Sequence, residues 1–184
     1  MPRAWKILKK GLNVLKVCDY IVRFLSKYMV KDVFMLTGGG VMHLNNACID
    51  RINVVCMQHE QSLAFAVEAY AKARGFGVGI VTSGPGSTNC VTGVASAWLD
   101  SVPCLFISGN SNIPKASGYR QVGVQEINII DIVKPITKYA VQITDHPKSI
   151  KTHLHKAIEY AFKDRAGPVW IDIPLNVQCA DCSR

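Results

Sequence analysis

Short apolar runs alternate with helix-length segments along almost the whole of this chain, and few folds accommodate that alternation. The runs read DVFML, NVVCM, GVGIVTS, PCLFIS, KYAVQI and PVWIDIP. Each has the length of a strand and not of a buried helix. Between them apolar residues recur at helical spacing, first as Val17, Ile21, Phe24, Leu25 and Tyr28, then over 41–50, 60–74, 88–99 and 147–163. Strands that are apolar throughout are covered on both faces, and alternation with helices joins them in parallel. The expected fold is therefore α/β: a three-layer, doubly wound, mainly parallel sheet with helices on both faces. The expected organisation is a basic N-terminal extension (1–16), one domain (17–177) and a C-terminal tail or truncated linker (178–184). At 184 residues the chain is long enough for one domain with a full core.

A parallel sheet sends every loop that follows a strand to the same edge, where open α/β folds bind ligands. Segments 37–40, 58–60, 83–89 and 108–112 each follow a strand, so four loops converge on one crevice. SGPGSTN (83–89) lies where a phosphate-cradling turn would lie, between strand and helix. It is not a dinucleotide fingerprint, because Asn89 stands at the third glycine's place and Pro85 removes a donor. No Gly-Lys-Ser/Thr follows to make a Walker loop, so a plain nucleotide-binding module is disfavoured. A tight strand-to-helix connection is the simpler reading of that turn alone. TGGG (37–40) likewise allows either a sharp turn or a close backbone approach to something else.

HEQSL is not a zinc-protease signature, since Leu63 occupies the second histidine position. His43 and His59 are single histidines beside helix starts and read as satisfied polar residues. Glu60 opens a helix and complements its dipole there, an effect of about 0.3–1 kcal/mol. Yet the helix carries Leu63, Ala64, Phe65, Ala66, Val67, Ala69, Ala71 and Ala73. Apolar over most of its circumference, it is expected to be buried against the sheet, with room for a second chain. A carboxylate at such a helix is expected to be protonated or hydrogen-bonded to a specific partner.

The formal charge of +8 does not imply a nucleic-acid partner, because of where it lies. Eight of the 21 Lys and Arg residues fall in the first 31 positions, against Asp19 alone. The rest of the chain is nearly neutral. The segment RAWKILKKGLNVLK places Trp5, Leu8, Leu12 and Leu15 at helical intervals among lysines, and reads as a solvated or loosely docked arm, or else as a surface-docking helix. No stretch is long enough to span a membrane. Seven cysteines, several of them in apolar segments, imply free thiols in a reducing cytoplasm. Cys179 and Cys182 form one CxxC with no second pair or histidine cluster, so no metal site is expected on this chain.

Taken in order, VFMLTGGG, HEQSLAFAVEAYAKARG, IVTSGPGSTNCVTGVASAWLDSVPCLFISG, VQEINIIDIVKPITKYA and GPVWIDIP resemble the pyrimidine-binding domain of thiamine diphosphate enzymes of the acetolactate synthase type. The resemblance covers about residues 17–177. It implies that Glu60 hydrogen-bonds N1′ of the cofactor's aminopyrimidine ring and promotes its imino tautomer. That tautomer prepares the thiazolium for addition to a 2-oxo acid such as pyruvate, followed by decarboxylation and carboligation. It further implies that Gly38, Gly39, Pro85 and Asn89 lie on cofactor-approaching loops and that Gln125 reaches the reaction centre. Leu36 and Thr37 stand where the family often has an aromatic-proline pair, which leaves other 2-oxo acids or aldehydes open as substrates. The sequence has no Gly-Asp-Gly motif. The resemblance thus implies that a second domain, in a longer chain or a partner subunit of a homo- or hetero-oligomer, holds the diphosphate and Mg²⁺, and that this chain alone is inactive. A non-catalytic interaction or regulatory subunit that keeps the fold is the alternative.

Overall fold

A computed structural model describes residues 14–28, 30–112 and 121–183. Most of the basic arm, residues 1–13, lies outside the described residues. Six strands, β1 (Asp32–Met35), β2 (Asn53–Cys56), β3 (Gly77–Val81), β4 (Cys104–Asn110), β5 (Tyr139–Gln142) and β6 (Val169–Pro174), form one sheet in the order β2-β1-β3-β4-β6-β5. Every neighbouring pair is parallel.

Alternation along the strands builds two cores. Val78 and Ile80 of β3, Leu105 and Ile107 of β4, and Val169, Ile171 and Ile173 of β6 face helices α1 (Val17–Lys27), α2 (Met42–Cys48) and α7 (Ser149–Phe162). Val81, Phe106 and Trp170 face the other way, toward α3 (Glu60–Arg74), α5 (Val91–Leu99) and α6 (Ile129–Val133). The period of two is that of a pleated strand buried on both faces. The three-layer α/β fold expected from the sequence is the one observed.

Two details differ from the sequence reading, and a third adds to it. The helix expected over 88–99 begins earlier and in two pieces, α4 (Pro85–Thr88) and α5, because Pro85 is suited to a first helical turn where its missing N–H is not needed. The polar segment after β4 contains α6, capped by Asn128 Oδ1 accepting from the Asp131 N–H, and a 3₁₀ turn (Lys134–Ile136). Five residues are too few for helical periodicity to show. Residues 178–183 pack against residues 15–17. The Val17 N–H donates to the Ala180 carbonyl at 3.0 Å and the Cys182 N–H to that of Leu15 at 2.8 Å, and both Gln178 and Cys182 are buried. Just before the latter, α8 (Leu175–Gln178) closes the fold.

Helix α3 runs as the sequence predicts. His59 Nδ1 accepts from the Gln61 N–H at its start, and Gly75, at φ 92°, ends it with its N–H on the Ala71 carbonyl. Its burial is one-sided: Leu63, Ala64, Val67, Glu68 and Ala71 face inward, while Phe65, Ala69 and Ala73 are exposed. Small side chains let α3 and α5 pack closely, so the apolar circumference is only half used within this chain.

Candidate active site at the sheet switch point

The strand order places the site. After β1 the chain turns outward to β2, and after β3 it turns the other way to β4, so the loops that follow β1 and β3 diverge over a crevice at the carboxyl edge. Thr82, one residue beyond β3, joins the two loops. Its Oγ1 accepts from the Gly40 N–H at 3.0 Å, and its carbonyl accepts from Ser87 Oγ at 2.6 Å. A β-carbon on Gly38 would lie 2.4 Å from Thr82 Cβ, and one on Gly86 would lie 2.6 Å from Thr82 Cγ2. The walls on both sides of Thr82 are therefore bare backbone.

Gly84 makes the turn into α4 at φ 60°, ψ −123°, a conformation that glycine alone adopts readily. A β-carbon there would lie 2.3 Å from the Gln125 carbonyl oxygen. Gln125, itself in the left-handed region at φ 56°, thereby sits over the glycine turn, with its side chain exposed. Its loop is held by Glu126 Oε2, which accepts from the N–H groups of Val122 and Gly123, and by Ser111 Oγ donating to the Val124 carbonyl.

Glu60, half-buried at the head of α3, points its carboxylate into this crevice. Asn89 Nδ2 donates to Oε2 at 3.0 Å. The position of a β-carbon on Gly86 is only 3.2 Å from Oε1, so that oxygen borders the glycine wall. Cys90 Sγ donates to the Glu60 backbone carbonyl at 3.5 Å, and burial, followed by the Glu60 charge, pushes this thiol well above its usual range, so it remains a neutral donor.

Six of the sequence-derived residues share the crevice, but not equally. Glu60 and Asn89 are paired, Gly38 packs on Thr82, and Gln125 covers Gly84. Gly39 and Pro85 lie on the same turns and are exposed, with no atom within 4 Å of a β-carbon on Gly39. Thr82, Gly84 and Gly86 lie in a motif read from the sequence but were not named individually as site residues, and Cys90 was read only as one of the free thiols. The alternating glycines around Pro85 were the available signal. Among the described residues no group of three or more His, Cys, Asp or Glu side chains is arranged to hold a metal ion. No helix among them is long and apolar enough to cross a membrane.

Residues 15–133 match the family described as "Thiamine pyrophosphate enzyme, N-terminal TPP binding domain". The chain belongs to this family. It is 40% identical over 169 residues to acetolactate synthase 2, chloroplastic, of Nicotiana tabacum, an alignment covering 89% of this chain and 24% of that protein. Against acetolactate synthase isozyme 3 large subunit of Escherichia coli (strain K12) the identity is 34% over 169 residues, covering 90% of this chain and 29% of the relative. The chain thus spans about a quarter of the length of these curated relatives.

Beneath the crevice of this TPP-binding domain lies a buried polar cluster. Asp172 of β6 accepts from Ser108 Oγ at 2.5 Å, Asn110 Nδ2 at 2.8 Å and Gln142 Nε2 at 2.8 Å, and Trp170 Nε1 donates to Ser108 Oγ. Asn110 also donates to the Ile127 carbonyl, which ties the cluster to the Gln125 loop. Burial pushes the Asp172 carboxyl from its ordinary 3.8 up to about 6, against the opposing effect of its three donors. With the folded value above the unfolded one, the protonated group's contribution to stability is complete below about pH 4 and is lost as pH rises through 6. Asp172→Asn removes that dependence. Urea unfolding over a pH series should show wild type losing about 3 kcal/mol relative to the variant across this window, given 1.36 kcal/mol per pKa unit. Parallel curves would show that Asp172 does not titrate there.

Proposed function

We propose that this chain supplies the pyrimidine side of a thiamine diphosphate site in an acetolactate synthase-like enzyme acting on 2-oxo acids. The observation that carries the reading is the Glu60 carboxylate, with one oxygen held by Asn89 and the other beside a glycine wall. These residues fit an aminopyrimidine. A flat ring can lie against backbone that carries no side chains, and a fixed carboxylate meets a ring nitrogen. When bound, thiamine diphosphate supplies the electron sink for decarboxylating a 2-oxo acid and joining the remaining fragment to a second carbonyl. Glu60 holds and exchanges a proton at ring nitrogen N1′. Asn89 fixes the carboxylate's rotation so that Oε1 is the oxygen offered. Gly38 keeps the ring's approach open, while Gln125 reaches the reacting end. Gly39 and Pro85 shape the two turns that approach the cofactor.

We assign the diphosphate and Mg²⁺ to a second domain, in the same polypeptide or a partner subunit, and the isolated chain is inactive. The exposed side of α3, with Phe65, Ala69 and Ala73, supports a partner contact beside Glu60 in a homo- or hetero-oligomer. Free thiols at all seven cysteines suit a reducing cytoplasm.

The test starts with the polypeptide isolated from its native host, with its intact mass and co-purifying proteins determined. That assembly should bind thiamine diphosphate in a fluorescence titration and release CO₂ from pyruvate or another 2-oxo acid. No binding with Mg²⁺ present would sink the reading.

A further inference from the structure

We propose that Gln178, together with Thr82, positions the glycine turn of this site, an inference that rests on the thiamine diphosphate reading above. Gln178 Nε2 donates to the Gly40 carbonyl at 2.6 Å and to the Ile173 carbonyl at 2.8 Å. On the other side the Gly40 N–H donates to Thr82 Oγ1. Both backbone polar groups of Gly40 are thus held by side chains, one from the end of β3 and one from the far end of the fold. Below them, a β-carbon on Gly109 would lie 1.8 Å from the Gly40 oxygen, so the turn rests directly on the backbone of β4. The turn is clamped from three directions.

The chemistry of Gln178 points to that use. It is fully buried, and its Oε1 has no hydrogen-bond partner among the described residues. A buried amide that uses both donors and leaves its acceptor empty is unfavourable as general packing, because the unpaired oxygen has lost its water. Its role here is to donate. Thr82, the opposite jaw, also contacts the positions of Gly38 and Gly86, and Gly86 borders Glu60 Oε1. A shift of Gly40 is therefore passed to the wall on which the pyrimidine ring would lie. Gln178 touches none of the proposed reacting atoms, so it acts through Gly40.

The experiment uses the native assembly with Gln178→Met, which keeps the bulk and removes the donors, and Thr82→Val, which removes the acceptor with little change of shape. Amide hydrogen exchange at Gly38–Val41 should quicken in both. The thiamine diphosphate Kd should weaken about tenfold, the loss of roughly one hydrogen bond's net contribution. The cofactor's KM should rise by more than that of the 2-oxo acid, whereas a residue that only stabilised the fold would lower Tm without separating the two. Thr82→Ser, which keeps the hydroxyl, should restore both exchange and affinity. If Gln178→Met does not assemble, Thr82→Val and its serine counterpart decide the matter. Unchanged exchange, or faster exchange with unchanged Kd, overturns this inference alone. Absence of thiamine diphosphate binding in the unsubstituted assembly overturns the cofactor reading, and this inference with it.

Discussion

Glu60→Gln is expected to lower turnover of the assembled enzyme by about 100-fold or more, the range in which a lost general acid–base group falls. The substitution keeps the shape, and Asn89 Nδ2 can still donate to the amide oxygen as it does to Oε2. What disappears is the charge and the capacity to carry a proton. Loss of the favourable charge at the head of α3 removes only about 0.3–1 kcal/mol, so Tm and assembly should hardly change. CO₂ release at saturating substrate, Tm and light scattering on the same preparation separate these effects. Near-normal turnover would rule out Glu60 as the proton carrier. If the partner's activity were also independent of the substitution, the chain would be a non-catalytic subunit.

Gly84→Ala should be strongly disruptive, since it combines backbone strain with a direct clash in the crevice. The backbone at φ 60°, ψ −123° is strained for alanine, and the added carbon would lie 2.3 Å from the Gln125 oxygen. Strain and overpacking each contribute roughly 1–3 kcal/mol, so a loss of about 2–6 kcal/mol follows unless the Gln125 loop swings away. The second response damages the site, since the loop that moves is the one that carries Gln125. Urea unfolding together with the thiamine diphosphate Kd distinguishes the two: lost stability with retained affinity, or retained stability with lost affinity. Gly39→Ala is the control. Nothing lies within 4 Å of a β-carbon there, and a change within about 0.5 kcal/mol is expected. Equal behaviour of the two variants would show that Gln125 does not rest on Gly84.

The same contrast runs through the whole site. Strands, their parallel arrangement, helix α3 and the carboxylate at its head were all legible in the sequence, because each depends on residues a few positions apart. The five-residue α6 was not, since it is shorter than two helical turns. The sequence reading gave Glu60 the ring nitrogen N1′ as its partner, by resemblance, and did not pair it with another side chain of this chain. Asn89, which meets it, lies on a different loop, and the two are brought together by the packing of α3 against α5.

Three features could be decided only in the tertiary structure: the pairing of Gly84 with Gln125, the one-sided burial of α3, and the reach of Gln178 to Gly40, 138 residues away. Alternating patterns dictate that strands lie parallel and buried, and therefore that the loops share an edge. They do not dictate strand order, because each crossover can set the next strand beside any open edge of the same hand. The order β2-β1-β3-β4-β6-β5 decides which two loops diverge and which buried side chains lie under them. Local periodicity thus determined where a site had to be, and long-range packing decided which groups hold it in place.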